Sequence, residues 1–525
     1  VAGQGCLEDL RSIMVRKQLP SERDCRDESK TSRRSLLGRG LLGLTGLSLV
    51  KSISGCSQAS SSSVDRHSSS LADLRGLSLS AKVELLQRVY EREAFHESGI
   101  MYSMMRLDNG IIRPFVPDDF HGQIGLDATV GKLQLDGPWD YLHGENSITV
   151  SGQYMVAQTC RFLVTKSPEA RQQARRAFRS LDLIYRMGED AKKPGWLNKP
   201  YGFRPSNQTV PDQYLDACWG LFTYRQIAEP AERKRVDQML IGFADYWRSV
   251  DYVLTYFGSS WDLKPETDSY NAIYAMINAL AYHCSHDPVH LREFERFMAT
   301  ATWTRQTRID GLREQVRRRI QEHGKPEVIP YGFAFGIAKD LLRPGEFLCL
   351  ETTVHNKFVA VAAGLIDQVM PSSLAGRLPQ ILAMWWREWR YGIGQDFLPY
   401  YWFAVDLTND TWRPLPSTAL LPRGQWPFGD PFAAYVSRVR WNDPLARFMV
   451  TSVLAVEHKA ENAASARTVG RQMLEAIDEQ RLHWLLDPDG LQLVPEIRYY
   501  GQCLSSEVPS SFLTAYWKGR HLRCW

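Results

Sequence analysis

Five prolines punctuate the middle of the chain where one helical pattern ends and another begins. They are Pro168 in TKSPEARQQA, Pro230 in IAEPAERKRV, Pro288 in SHDPVHLREF, Pro371 in QVMPSSLAGR and Pro444 in WNDPLARFMV. Proline lacks an N–H, and the first turn of a helix has N–H groups to spare, so each proline marks the opening of a second helix after a turn. A pattern recurring every ~60–80 residues specifies an array of helix pairs. No pair can bury its apolar face alone, so the pairs must pack side by side.

Helical spacing of apolar residues fills in the pairs. Hairpin one runs from about Glu145 to Met187, with Tyr154, Ala157, Phe162 and Leu163 on its first helix and Ala174, Phe178, Leu181 and Tyr185 on its second. Hairpin two, Asp212 to Val250, repeats this with Leu215, Trp219 and Phe222, then Val236, Leu240, Phe243 and Trp247. Hairpin three starts near Asp268 and is rich in alanine (Ala272, Ala275, Ala279, Ala281). Hairpin four starts near His355 and hairpin five near Asp430. A pairing of Leu79–Phe95 with Ala463–Gln480 would add a sixth unit and close a ring. Strand alternation is scarce beyond a short pair near Ile111–Val130.

The N-terminal region predicts export. Ser32-Arg33-Arg34-Ser35-Leu36-Leu37 resembles the twin-arginine motif, and the apolar stretch Leu36–Val50 is too short and glycine-rich to remain as a membrane span. Met14 gives a signal of more usual length than residue 1. Ile53-Ser54-Gly55-Cys56 resembles a lipobox, which makes Cys56 the candidate lipidation site, although Lys51 departs from the pattern. Residues 1–56 are therefore assigned to the signal, 57–75 to a serine-rich flexible tether and 76–525 to the helical domain. Gly38-Arg39-Gly40-Leu41-Leu42-Gly43 matches GxGxxG, but no strand precedes it, so it is not a nucleotide site. The balance of 63 basic and 59 acidic residues gives no electrostatic footprint for nucleic acid.

The cysteines have no metal-type spacing, and Cys160 and Cys218 fall inside apolar helix patterns as buried thiols. His283, Cys284, His286, Asp287 and His290 crowd one turn, at the end away from the first-helix starts, and a solvated loop explains them better than a metal. The arginines Arg305, Arg308, Arg313, Arg317, Arg318 and Arg319 lie on a polar helix and form a solvated face. No metal and no cofactor is expected.

The segment Glu145-Asn146-Ser147, continuing through Tyr154-Met155-Val156-Ala157-Gln158 to a helix opened by Ser167-Pro168-Glu169-Ala170, resembles the six-hairpin glycosidase group. The resemblance spans roughly residues 80–515. It implies an all-α (α/α)6 toroid with long aromatic loops, and a carbohydrate substrate as partner.

Hairpin geometry locates the site. All first helices start at one end of such an array, and the starts read Glu145-Asn146, Asp212-Gln213, Asp268-Ser269-Tyr270-Asn271, His355-Asn356 and Gly429-Asp430. Any one of them could be only an N-cap. The long connections fall at the same end and carry Trp196, Tyr201, Phe203, Tyr256, Trp261, Tyr331, Tyr400, Tyr401, Trp402, Trp412 and Trp426. Aromatic faces on loops over a rigid scaffold suit the C–H faces of sugars, though part of the set will fold inward as a lid. Glycoside hydrolysis needs one carboxylic acid and one carboxylate. Asp212, Asp268 and Glu145 are the leading candidates, with Asp262, Glu351 and Asp396 behind them. His143, Asn146, Tyr270, Asn271, Trp261, His355, Asn356, Tyr400 and Trp402 are candidate substrate contacts. The same residues leave open a polysaccharide lyase that uses Tyr or His on a uronate, or a non-catalytic glycan-binding protein.

The expectation is an exported protein, periplasmic or held at the cell envelope by a lipid, touching membrane only through that anchor. Cys56→Ser should move it from the membrane to the soluble fraction, as read by fractionation and immunoblot. Unchanged fractionation would leave a soluble exported protein.

Overall fold

The structure, a computed structural model, describes residues 70–120, 129–130, 133–256, 259–262, 268–301, 303, 343–344, 346–350, 354–391, 393, 397, 402–406, 411–414, 440–441, 443–483, 485–486 and 502–525. The export-type segment with Cys56, the arginines from Arg305 to Arg319, Glu351, Asp396, Tyr400 and Asp430 lie outside the described residues.

Helix α1 (Leu79–Glu93) and the short α2 (Pro138–Gly144) precede the hairpins. The first pair is α3 (Ser147–Thr165) and α4 (Pro168–Asp190). On α3 every residue from Ser147 to Cys160 is buried, whereas α4 buries one face, including Ala170, Ala174, Phe178, Leu181 and Tyr185. A helix buried all round belongs inside, and an amphipathic one belongs on the perimeter. The distinction repeats in α5 (Pro211–Tyr224) with α6 (Pro230–Ser249), and α7 (Asp268–Ser285) with α8 (Pro288–Thr300) follows the same order. Ser167 caps α4 by accepting from the Ala170 N–H at 3.3 Å, and Asp287 caps α8 from Val289 at 2.8 Å. Glu229 and Glu232 form a reciprocal capping box on α6. In all three the proline is the first helical residue, as the sequence predicts.

Two further pairs are α9 (Val354–Val369) with α10 (Leu378–Tyr391), and α11 (Asp443–Glu457) with α12 (Ala463–Ala476). The last helix, α13 (Glu507–His521), is again buried on nearly all sides. Helices α3, α5, α7, α9, α11 and α13 pack in that order, and α13 returns to α3, closing an inner ring of six. Helices α4, α6, α8, α10, α12 and α1 pack outside it. The protein is an all-α (α/α)6 toroid.

Four expectations change. Pro371 does not open α10: it lies in the turn before that helix, which starts at Leu378. Hairpin five does not turn at Pro444: that proline opens the inner helix α11. Ala463–Gln480 is not the partner of the early helix, because α12 covers α11 and α1 covers α13. The sixth inner helix was missed because EVPSSFLTAYWKGRH has Pro509 and the pair Ser510-Ser511 near its start, features that read as a loop. Pro509 sits in the first turn, where it is tolerated, and the serines are hydrogen-bonded in the core. The Tyr90 hydroxyl meets the Ser506 carbonyl at 3.0 Å and Ser510 Oγ at 2.8 Å, tying α1 to α13. Residues 71–75, assigned to the tether from sequence, are structured. Leu71–Gly76 forms a capped 3-10 turn whose Leu71 and Leu74 are fully buried.

Short antiparallel sheets lie on the connections. Strand β1 (Met104–Asp108) sits between β2 (Ile111–Arg113) and a strand at Cys503–Ser505, with Met105 opposite Leu504 and Leu107 opposite Ile112. The expected pair near Ile111–Val130 is thus two separate pairs, the second being Thr129–Val130 with Leu133–Gln134. Strands β3 (Val253–Tyr256) and β4 (Ser259–Asp262) form a hairpin, and β5 (Glu346–Leu350), β6 (Trp402–Asp406) and β7 (Thr411–Pro414) form a sheet.

Two inner-helix glycines set the spacing between α3 and α5. A Cβ on Gly152 would lie 2.1 Å from the Asp216 carbonyl oxygen, and one on Gly220 would lie 2.5 Å from the Gly152 carbonyl oxygen. Both neighbours are backbone, so neither can yield without moving a helix. Gly152→Ala should therefore destabilise by about 1–3 kcal/mol despite alanine's better helix propensity. The readout is a lower thermal midpoint by calorimetry. An unchanged or raised midpoint would show that the helices can separate freely.

Candidate active site

Antiparallel helices joined by short turns alternate ends, so all six inner helices start on the same side. Polar side chains gather there on helices that are otherwise apolar. Glu145 ends α2 and precedes Asn146, the N-cap of α3. Its carboxylate is held by the Lys199 ammonium and by the Tyr201 hydroxyl. Gln213, in the first turn of α5, donates to the Glu145 carbonyl at 2.6 Å and to Asn146 Oδ1 at 3.0 Å. Lys199 and Tyr201 come from the connection between α4 and α5. That connection is pinned by Tyr214: its hydroxyl accepts from the Leu197 N–H at 2.7 Å and donates to the Gly195 carbonyl at 3.1 Å.

Asp212 stands beside this clamp, in the first turn of α5. Its Oδ1 is sealed from solvent and has no hydrogen-bond partner among the described residues. Burial disfavours its charged form and raises its pKa above the usual carboxylate range. Lys199 opposes that shift, Glu145 reinforces it and Arg447 opposes it.

One turn deeper on the same face of α5, Asp216 is buried with Lys357 of α9, Glu507 of α13 and Gln153 of α3. Lys357 Nζ lies 2.9 Å from Asp216 Oδ2 and 3.3 Å from Glu507 Oε1. Gln153 Nε2 lies 3.4 Å from Asp216 Oδ1 and 3.4 Å from Glu507 Oε1. Arg447 of α11 approaches Glu507 from the other side, with Nε at 3.6 Å. Ser511 donates to Gln153 Oε1 at 2.6 Å and fixes the amide's orientation. Burial lifts the Asp216 pKa to about 6, Lys357 pulls it down and Glu507 pushes it up. For Glu507 burial also favours protonation, but Lys357 and Arg447 together hold the carboxyl below its ordinary value.

Among the described residues this cluster contains four carboxylates, Glu145, Asp212, Asp216 and Glu507, facing three cations, Lys199, Lys357 and Arg447. A desolvated cluster with surplus acid retains a proton. Burial favours the protonated form at both Asp212 and Asp216, whereas the two cations beside Glu507 hold its carboxyl low.

The sequence candidates divide accordingly. Glu145, Asn146 and Asp212 come together at the mouth. Asn271 is buried near the start of α7, and Tyr270 packs 5.8 Å from Phe358 of α9. Asp268 is the first residue of α7 and His355 and Asn356 lie in the first turn of α9, but their side chains, like those of Trp261 on β4 and Trp402 on β6, are outside the described residues. His143 is buried beneath Tyr102 and Phe203, with ring centroids at 5.0 and 5.6 Å. Burial first, then the charge of His96, lowers its pKa to about 4 against a hydrogen bond with the Phe115 backbone, so the ring is neutral. Trp196 and Tyr201 are buried, part of the inward-folded share of the loop aromatics. Cys160 and Cys218 are buried free thiols.

The residues missed were Asp216, Lys357, Arg447, Glu507, Gln153 and Lys199. A signal existed for several: Asp212 and Asp216 are four apart on an apolar helix, and Lys357 interrupts VHNKFVAVAAG.

The sequence matches no protein-family profile and no curated protein. Solved structures similar to this chain include a D-mannose isomerase, 11% identical over 85% of this chain and 97% of that one, with a TM-score of 0.44. A cellobiose 2-epimerase from Bacillus thermoamylovorans B4167 is 11% identical over 83% of this chain and 99% of that one, TM-score 0.45. An unsaturated glucuronyl hydrolase specific for heparin is 9% identical over 86% and 97%, TM-score 0.43. At these values the likeness transfers no chemistry, which has to come from the residues.

Lys357 is the centre of the axial cluster. Lys357→Met should cost about 3–5 kcal/mol, because it leaves two buried carboxylates without their shared cation. Asp216 binds its proton more tightly folded than unfolded, so its contribution favours the fold below pH ~4 and is lost as pH rises through ~6. The variant's deficit should therefore be larger at pH 8 than at pH 5, by denaturant titration at both. An equal deficit at the two pH values would contradict this account.

Proposed function

We propose that the chain is a carbohydrate-processing enzyme that hydrolyses glycosidic bonds at the mouth of the toroid. Asp212 is the acid that protonates the leaving oxygen, and Glu145 is the carboxylate that faces the anomeric carbon. The observation that carries this reading is the contrast between the two. Asp212 is desolvated with an unpartnered oxygen, and Glu145 is ion-paired with Lys199 and bonded to Tyr201. Glycoside hydrolysis requires one carboxylic acid and one carboxylate; burial favours the protonated form of Asp212, and Glu145 lies against an ammonium and a hydroxyl.

In this mechanism the glycosidic oxygen takes the Asp212 proton as its bond to the anomeric carbon lengthens. Positive charge grows on the ring and is stabilised by the Glu145 carboxylate, which Lys199 and Tyr201 hold in place. Water then bonds to the anomeric carbon as the glycosidic bond breaks, and the proton it releases restores that of Asp212. The neighbouring Arg447 and Lys357 favour negatively charged carboxyls and offset part of the cost of keeping several acids in one site. We further propose that the protein is exported through its twin-arginine-like signal and anchored at Cys56, which would place the site outside the cytoplasm.

Asp212→Asn and Glu145→Gln should each lower kcat by at least ~100-fold while the thermal midpoint stays within a few degrees. The assay is a polysaccharide panel read both for reducing ends and for absorbance of unsaturated uronates. Since Asp212 works protonated, activity should fall as pH rises through its raised pKa. Full activity in both variants would overturn the assignment, and unsaturated products would make the enzyme a lyase.

A further inference from the structure

The peptide group that joins Glu145 to Asn146, at the elbow between α2 and α3, is gripped at both ends. Its N–H, from Asn146, donates to Ser103 Oγ at 2.8 Å, and its carbonyl, from Glu145, accepts from Gln213 Nε2 at 2.6 Å. A peptide unit is planar and rigid, so bonds to both its N–H and its C=O fix its rotation. They thereby fix ψ of Glu145 and φ of Asn146, and with them the direction in which the Glu145 side chain leaves the backbone. Two further bonds brace the elbow. The Glu145 N–H donates to the Tyr141 carbonyl at 3.0 Å, and Asn146 Oδ1 accepts from Gln213 at 3.0 Å.

Ser103 and Gln213 are each only 1% exposed and come from distant parts of the chain. Gln213 lies in the first turn of α5. Ser103 immediately precedes β1, at the end of its ladder with the strand Cys503–Ser505. Its backbone is engaged as well: the N–H donates to the His143 carbonyl at 2.8 Å, and the carbonyl accepts from the Ser506 N–H at 3.0 Å. Ser103 therefore ties the elbow to the start of the ring-closing helix α13, while Gln213 ties it to α5.

We propose that Ser103 and Gln213 are positioning residues for the Glu145 carboxylate, acting through this one peptide group. This rests on the reading of Glu145 as the carboxylate of the reaction. Lys199 and Tyr201 hold the carboxylate itself, but its placement also depends on the backbone that carries it. Without the Ser103 hydroxyl the Asn146 N–H loses its acceptor; without the Gln213 amide the Glu145 carbonyl loses its donor. Either loss lets the peptide turn, and a small displacement of a reacting group costs rate more than binding.

The experiment uses the full-length protein with Ser103→Ala, Gln213→Met, Glu145→Gln and the two doubles that include Glu145→Gln, assayed on the polysaccharide panel. Each of the first two should lower kcat about 10-fold with KM within about 2-fold. Combined with Glu145→Gln, neither should lower kcat further, because the group they position has already been replaced. Residue-resolved hydrogen exchange by mass spectrometry is run in parallel. The Asn146 amide should exchange at least about 10-fold faster in Ser103→Ala and Gln213→Met, with the body of α3 as protected as in the wild type. Losses that add in full to that of Glu145→Gln, as a merely structural role would give, overturn the proposal, and so does unchanged exchange at Asn146. Should Ser103→Ala fail to fold, Gln213→Met decides alone by the same criteria. Full activity in Glu145→Gln with the Asn146 exchange still accelerated would instead remove the catalytic reading and leave the grip on the peptide standing.

Discussion

One ammonium group holds the centre of this toroid together. Lys357 is buried with Asp216 and Glu507 on either side, and those three residues come from three different inner helices. An isolated charge there would be prohibitive, and only mutual pairing with further hydrogen bonds from Gln153 makes the cluster tolerable. Because every partner sits on a different helix, satisfying the charges requires all of those helices to be in register at once. Apolar packing alone would permit a helix to slide by a fraction of a turn; the buried charges do not.

Around this axis the two rings do different work. Inner helices are buried on nearly all sides and approach closely, as where α3 and α5 meet through glycines. The outer helices α4, α6 and α8 start on a proline after a side-chain cap, and α4 and α6 are joined by the part-buried Arg235 fork to Asp182 and Glu189. The buried ring is thus concentrated beneath the mouth, while the connection between α4 and α5 reaches in to hold Glu145 through Lys199 and Tyr201.

The first three hairpins were legible because proline after a cap and the amphipathic stripe are local signals. So were Glu145 and Asp212, since helix starts at one end follow from alternation alone. The deeper layer was not. Gln153, Glu507 and Arg447 look like ordinary surface residues in sequence; only ring closure shows that they face the same axis. The α13 segment failed for a related reason. Its serines lower helix propensity, and the partners that offset this, Tyr90 and Gln153, are more than 350 residues away. Pro444 misled because a proline cannot say whether the helix it opens is inner or outer.

Closure by α13 also bears on when the protein acquires its chemistry. Residues 507–521 supply the sixth wall and, in Glu507, one anchor of the axial charges. A nascent chain that has emitted everything up to α12 therefore has an open arc, with Lys357 and Asp216 facing a gap. The ring and its axial charge cluster are complete only with the final helix, so an incompletely synthesised chain carries the mouth residues but no completed axis.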